Sequence, residues 1–180
     1  EELLSSGYQV RNLSEGLNLR WLDPRVAILL AWIISSVIFA WLHTTNPNSS
    51  LTSTGNLFLL GLLFGLGYVL TGSLAIPIGL HFSWNFFQGT VFGYPVSGRS
   101  YGGVALLEIE QAGPVRWTGG AFGPEAGLIG LLAMLAGVGL TVWWVWWRTG
   151  RAAFYLPLTR YRPLQPSTDL PVTDRTQPQE

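Results

Sequence analysis

Leu80-His81-Phe82-Ser83-Trp84-Asn85-Phe86 sets a histidine and an asparagine four residues apart inside an apolar run. On a helix, positions i and i+4 share a face, with Cβ atoms roughly 6 Å apart. His81 and Asn85 then point the same way, and Gln88 at i+7 extends the polar stripe. The chain holds two histidines, and the other, His43, ends a second apolar run, Phe39-Ala40-Trp41-Leu42-His43. Ionisable groups at membrane depth are expensive, and they mark function or a helix–helix contact.

The rest of the composition fits that setting. Of 180 residues, 48% are hydrophobic and 11% are charged, whereas soluble domains carry about 25% charged residues. Mean hydropathy is +0.33. Without cysteine there is no disulfide framework, no thiolate chemistry and no cysteine-based zinc site. Ten basic residues balance ten acidic ones, so net charge gives no reason to expect nucleic acid as a partner. The chain opens on Glu1 rather than Met and shows no signal peptide, which reads as a segment preceded by further helices.

Working outward, the pattern predicts an all-α, polytopic transmembrane helical bundle of about four spans plus an N-terminal helix start, the C-terminal part of a larger bundle. Leu3, Leu4, Val10 and Leu13 are compatible with one apolar helical face near the start. Asp23-Pro24 reads as an N-cap followed by proline at the first helical position. Residues 26–42 are long enough to cross a bilayer, which takes roughly 17–25 residues. Residues 55–93 form one apolar stretch that Thr71-Gly72-Ser73 divides into spans at about 56–70 and 75–93. Gly61, Gly65 and Gly67 permit close packing, the first two as a small-xxx-small pair. Residues 94–123 are polar and glycine-rich, a loop outside the hydrocarbon, with Val104–Glu110 as a strand-like or interfacial piece. The last span, 125–147, ends in Trp143-Trp144-Val145-Trp146-Trp147, an interfacial aromatic belt. Residues 1–150 form the core, and 151–180, rich in Pro, Thr and Gln from 157 onward, read as a disordered cytoplasmic tail. Arg11, Arg20 and Arg25 precede the first span, while Arg148, Arg151, Arg160 and Arg162 follow the last. With four spans, the arginine bias puts both ends on the cytoplasmic side.

The ionisable groups near the apolar segments are Glu1, Glu2, His43 and His81, with Asn85 as an amide. These suffice to hydrolyse an amide bond. A carboxylate takes a proton from water, one imidazole helps hold that water, and a second imidazole with the asparagine stabilises the oxyanion. Taken singly, Glu1 and Glu2 are a solvated helix start, and each histidine is a helix–helix hydrogen bond.

As an ordered set, the residues resemble the CAAX-protease and bacteriocin-processing (CPBP, also called Abi) family of intramembrane glutamate endopeptidases. The family pattern is Glu-Glu-x-x-x-Arg, then Phe-x-x-x-His, then His-x-x-x-Asn, on successive helices. This chain has Glu1-Glu2, then Phe39 to His43, then His81 to Asn85, in that order. The resemblance covers roughly residues 1–93. It implies a peptidase without cofactor or metal, with Glu1 as general base, His43 as its partner on the water, and His81 and Asn85 at the oxyanion. Glu2 and Phe39 would be supporting residues. The implied partners are a peptide or protein substrate in the membrane and the lipid bilayer, in a prokaryotic cell membrane. The family arginine falls on Ser6, so restoring arginine there is expected to raise activity.

Two other readings remain open at this point. One is a metal-dependent membrane hydrolase using His43, His81 and Glu1. The other is a catalytically degenerate scaffold, which Ser6 in place of arginine favours. A topological tension also stands. His43 ends a span running outward and His81 lies about six residues into another, a depth difference of roughly 16 Å at 1.5 Å per residue.

Overall fold

The computed structural model of the chain describes residues 1–100, 105–107 and 109–161. π-Helical turns, Leu3–Val10, lead into a short helix, α1 (Arg11–Gly16). Then come α2 (Pro24–Leu42), α3 (Leu51–Thr71) and α4 (Ala75–Asn85), the last prolonged as a π-helix over Phe86–Val91. A connector carries α5 (Val115–Thr118) and 3-10 turns at Gly120–Phe122 and Pro124–Ala126, before α6 (Leu128–Thr149) and a final 3-10 turn, Leu156–Thr159. Among the described residues, extended pairing is limited to an isolated bridge between Val96 and Arg99. The fold is an all-helical membrane bundle.

Local chemistry sets the helix ends. The Asp23 side chain accepts from the Arg25 N–H at 2.7 Å, with Pro24 at the first position of α2. Ser50 and Ser53 cap the start of α3 reciprocally, which begins that helix ahead of its apolar run. α3 ends at Gly72, whose φ of 70° is the left-handed closure that glycine adopts without strain. α2, α3 and α6 are long and apolar enough to cross a membrane. The expected fourth span is shorter: α4 has 11 residues and its π-helical continuation 6. The helix stops where Gly93, at φ 75°, turns the chain. Beyond it, Leu106 and Leu107 donate to the terminal carbonyls of Thr90 and Val91. The expected strand-like piece therefore satisfies a helix end instead; its Val104 and Glu108 lie outside the described residues.

α3 is the central helix, packed against α2, α4, α6 and the N-terminal turns. Its Leu57, Leu60, Leu63, Phe64 and Val69 are buried. The glycines act as expected. A Cβ on Gly61 would lie 3.3 Å from the Ser36 Cα of α2, and one on Gly65 would meet Trp32 Nε1 at 2.8 Å. α6 instead leaves Leu132, Leu135, Leu140 and its tryptophans exposed, a face suited to lipid.

The structure corrects two expectations. The inward face of the N-terminal segment is Glu2, Ser6, Val10 and Ser14, while Leu3 and Leu4 are 70% and 51% exposed. In a bilayer, apolar side chains can face lipid at little cost, and it is the polar ones that need protein partners. Nor is the C-terminal segment free of the bundle from residue 151. Leu158 is buried, Tyr155 N–H donates to the Val69 carbonyl, and Phe154 packs edge-on against Trp32. Arg11 donates to the carbonyls of Pro157 and Arg160, and Asn18 to that of Thr159. Residues 162–180 of the expected tail lie outside the described residues.

Candidate active site

Glu1, His43, His81 and Asn85 line one cavity of about 390 Å³, together with Phe39, Arg99 and Glu125. The depth difference read from the sequence closes because α2 and α3 pack with a stagger: Phe39, three residues before the end of α2, meets Phe64, thirteen residues into α3. Phe64 lies seven residues before the end of α3, and His81 six residues after the start of α4, so the two are level, and their rings stack at 4.4 Å. Phe39 of α2 stands edge-on to both, 6.4 Å from Phe64 and 6.1 Å from His81. His43 is one turn beyond Phe39, and its ring folds back to 4.6 Å from the Phe39 ring. Phe39, 5% exposed, is thus the aromatic hub on which both imidazoles rest.

The backbone fixes the His43 proton. The last turn of α2 tightens, so the His43 N–H bonds the Ala40 carbonyl rather than that of Phe39. The freed Phe39 carbonyl lies 2.7 Å from His43 Nδ1. A carbonyl only accepts, so Nδ1 carries a hydrogen, and in the neutral ring Nε2 then offers its lone pair to the cavity. That nitrogen is 3.9 Å from Glu1 Oε1. Two acceptors at this separation can be bridged by the two protons of one water molecule.

His81 lies between two carboxylates. Nδ1 is 2.9 Å from Glu2 Oε1, and Nε2 is 3.5 Å from Glu1 Oε2. Glu2 is 5% exposed and also accepts from the Ser6 hydroxyl at 2.5 Å, whereas Glu1 keeps 57% of its side chain exposed toward the cavity. The adjacent glutamates therefore do different things: one is locked in packing, the other faces the open space. Ser6 occupies the position matched to arginine and supplies a donor to Glu2. Arg11 pairs instead with Glu15 and the C-terminal segment. Asn85 lines the cavity one turn from His81. Gln88 does not continue that stripe; it is buried and donates to the Pro95 carbonyl, because the π-helical turn rotates it toward the connector.

Residues 1–87 match the family model described as type II CAAX prenyl endopeptidase Rce1-like. Over these residues, just under half of the chain, the sequence is similar to that family. The match agrees with the resemblance read from the ordered motifs, and it supports a membrane endopeptidase in general. Comparison with curated proteins gives no match, and neither does comparison with solved structures. The Rce1-like match spans Glu1, Glu2, Phe39, His43, His81 and Asn85, and ends at Phe87, ahead of the connector and α6. Among the described residues, no three His, Cys, Asp or Glu side chains are grouped to hold a metal ion.

Sequence reasoning passed over Glu125. Its carboxylate is 1% exposed yet borders the cavity. It accepts from Ser97 N–H at 2.5 Å, Ser97 Oγ at 3.2 Å and Trp84 Nε1 at 3.3 Å. Burial pushes its carboxyl above the ordinary value of 4.5, against hydrogen bonds from Ser97, Trp84 and Gln88 that pull it down. A lone carboxylate amid glycines just before a 22-residue apolar helix was the available signal.

Proposed function

We propose that the protein is a glutamate-type intramembrane endopeptidase acting on membrane-associated peptides or proteins, with Glu1 as general base. The observation that carries this reading is the meeting of the exposed Glu1 carboxylate with both imidazoles in one cavity. A water between Glu1 and His43 Nε2 gives a proton to each acceptor and turns its lone pair outward. As it attacks the scissile carbonyl, one proton passes to Glu1. Collapse of the tetrahedral intermediate breaks the C–N bond, and Glu1 returns that proton to the leaving nitrogen. His81 has an acceptor for Nδ1–H in Glu2 and turns Nε2 into the cavity. There it and the Asn85 amide stabilise the oxyanion. The carboxylate-activated water needs no Lewis acid. The arginine pattern supports an orientation with both ends of this chain cytoplasmic, and the reading takes the membrane to be that of a prokaryotic cell. The contacts joining residues 11–18 to 157–160 are consistent with ends on one side.

The test is Glu1→Gln in the full-length protein, reconstituted in lipid nanodiscs. Two quenched-fluorescence peptides serve as probes, one bearing a farnesylated cysteine near its C-terminus and one unlipidated and apolar. The amide cannot take a proton, so cleavage should fall by roughly 10²–10⁴-fold while the circular dichroism spectrum is kept. Full activity in Glu1→Gln ends the glutamate mechanism.

A further inference from the structure

Glu125 lies outside the residues matched to the family and has no part in the chemistry above, yet it borders the same cavity. A carboxylate removed from water in this way costs free energy unless hydrogen bonds offset it, and such a group beside a cavity is a candidate for a functional role. Its partners indicate one. Ser97 holds φ at 48°, a left-handed conformation that costs a non-glycine residue of order 1 kcal/mol and persists only where surroundings enforce it. Both the N–H and the hydroxyl of Ser97 end on Glu125 Oε2. The neighbouring Gly98 donates to the Phe122 carbonyl, and a Cβ there would meet the Pro47 carbonyl oxygen at 2.0 Å, so the turn cannot relax outward without losing contact on both sides. The turn carries Arg99 to the cavity rim, where Arg99 reaches Asn46. The other carboxylate oxygen, Oε1, accepts from Trp84, whose ring stands edge-on to Phe64 at 6.5 Å, and Phe64 is the ring stacked on His81. The Glu125 carbonyl is itself tied to α3 by Asn56 Nδ2 at 2.8 Å.

We infer that Glu125 is a positioning residue of this peptidase: its buried carboxylate clamps the strained Val96–Arg99 turn to Trp84, and so fixes the cavity rim and, through Phe64, the ring plane of His81. This rests on the reading of His81 as part of the active site. Glutamine at 125 offers one acceptor oxygen instead of two, so it cannot serve both Ser97 and Trp84 as the carboxylate does.

The experiment measures kcat and KM for the two peptide probes with full-length wild type, Glu125→Gln, Trp84→Phe and the double variant, with Glu1→Gln alongside and near-UV circular dichroism as the folding check. Glu125→Gln should lower kcat about tenfold, the scale of one charge-assisted hydrogen bond, with KM within about twofold. Trp84→Phe keeps an aromatic ring, smaller than the indole, but loses the donor, and should lower kcat about threefold. The double variant should be no worse than Glu125→Gln, since both act along one path. Unchanged kcat in folded Glu125→Gln overturns the inference. So does a change confined to KM, which would mean contact with substrate, and so do losses that multiply in the double variant. If Glu125→Gln does not fold, Trp84→Phe decides: a normal kcat there overturns the inference. Full activity in Glu1→Gln refutes the underlying glutamate reading instead, whereas inactive Glu1→Gln beside unaltered Glu125→Gln refutes this inference alone.

Discussion

Replacing Ser6 by alanine removes one of the two donors to Glu2, the other being His81 Nδ1. The site is closed, with Glu2 5% and Ser6 2% exposed, so water cannot take the hydroxyl's place without opening the packing. A hydrogen bond to a charged group contributes about 1.5–3 kcal/mol, and Ser6→Ala should cost that much stability. If the same loss is felt in the transition state, through a Glu2 that no longer holds His81 in place, kcat falls by roughly 10- to 150-fold at 1.36 kcal/mol per decade. In a Glu2→Gln background the Ser6 bond joins neutral groups, and its removal should cost only about 0.5–1.5 kcal/mol. A double-mutant cycle on unfolding free energy and on kcat therefore gives a coupling of about 1 kcal/mol or more. If Ser6→Ala costs the same in both backgrounds to within about 0.5 kcal/mol, the relay from Ser6 through Glu2 to His81 is wrong. The structure also reverses the gain expected from restoring arginine at this position. The free space beside Ser6 is about 10 Å³, room for about one water at most and far short of an arginine side chain. Ser6→Arg should thus destabilise by about 1–3 kcal/mol or more through overpacking, without raising activity.

Gly67→Ala places a Cβ 2.4 Å from Ile76 Cγ2, so it should push α3 and α4 apart. A loss of about 1–3 kcal/mol in unfolding free energy is expected, and a neutral result would mean that the hairpin is loose. The folded state binds the Glu125 proton more tightly than the unfolded chain does. Its contribution to stability is therefore full below the ordinary value of 4.5 and is lost as pH rises through the raised folded value. The stability of wild type relative to Glu125→Gln should fall across that window in pH-dependent unfolding, and a difference constant from about pH 4 to pH 8 contradicts the assigned burial. Cleavage of the peptide probes should survive a strong chelator, because the carboxylate activates the water directly. Loss of activity with restoration by zinc would move the assignment to a metal-dependent hydrolase.

Much of the fold was legible because helix signals are local. Asp23-Pro24 and Gly72 acted as their backbone chemistry requires, and the small residues at 61 and 65 marked where α2 comes close. The order Glu1-Glu2, Phe39 to His43, His81 to Asn85 carries the family resemblance in the sequence alone. What the sequence could not set was relative height: helical period says which residues share a face on one helix, but not which turn of its neighbour stands opposite. Packing of Phe39, Phe64 and His81 decided that, and brought both imidazoles to Glu1. Nor could it set which face of the N-terminal segment turns inward, since lipid accepts Leu3 and Leu4 while Glu2 and Ser6 need partners. Glu125 was out of reach for the same reason. Its role depends on Trp84, 41 residues away, and Ser97, 28 residues away, and only the closed bundle, by excluding water, makes those few hydrogen bonds matter.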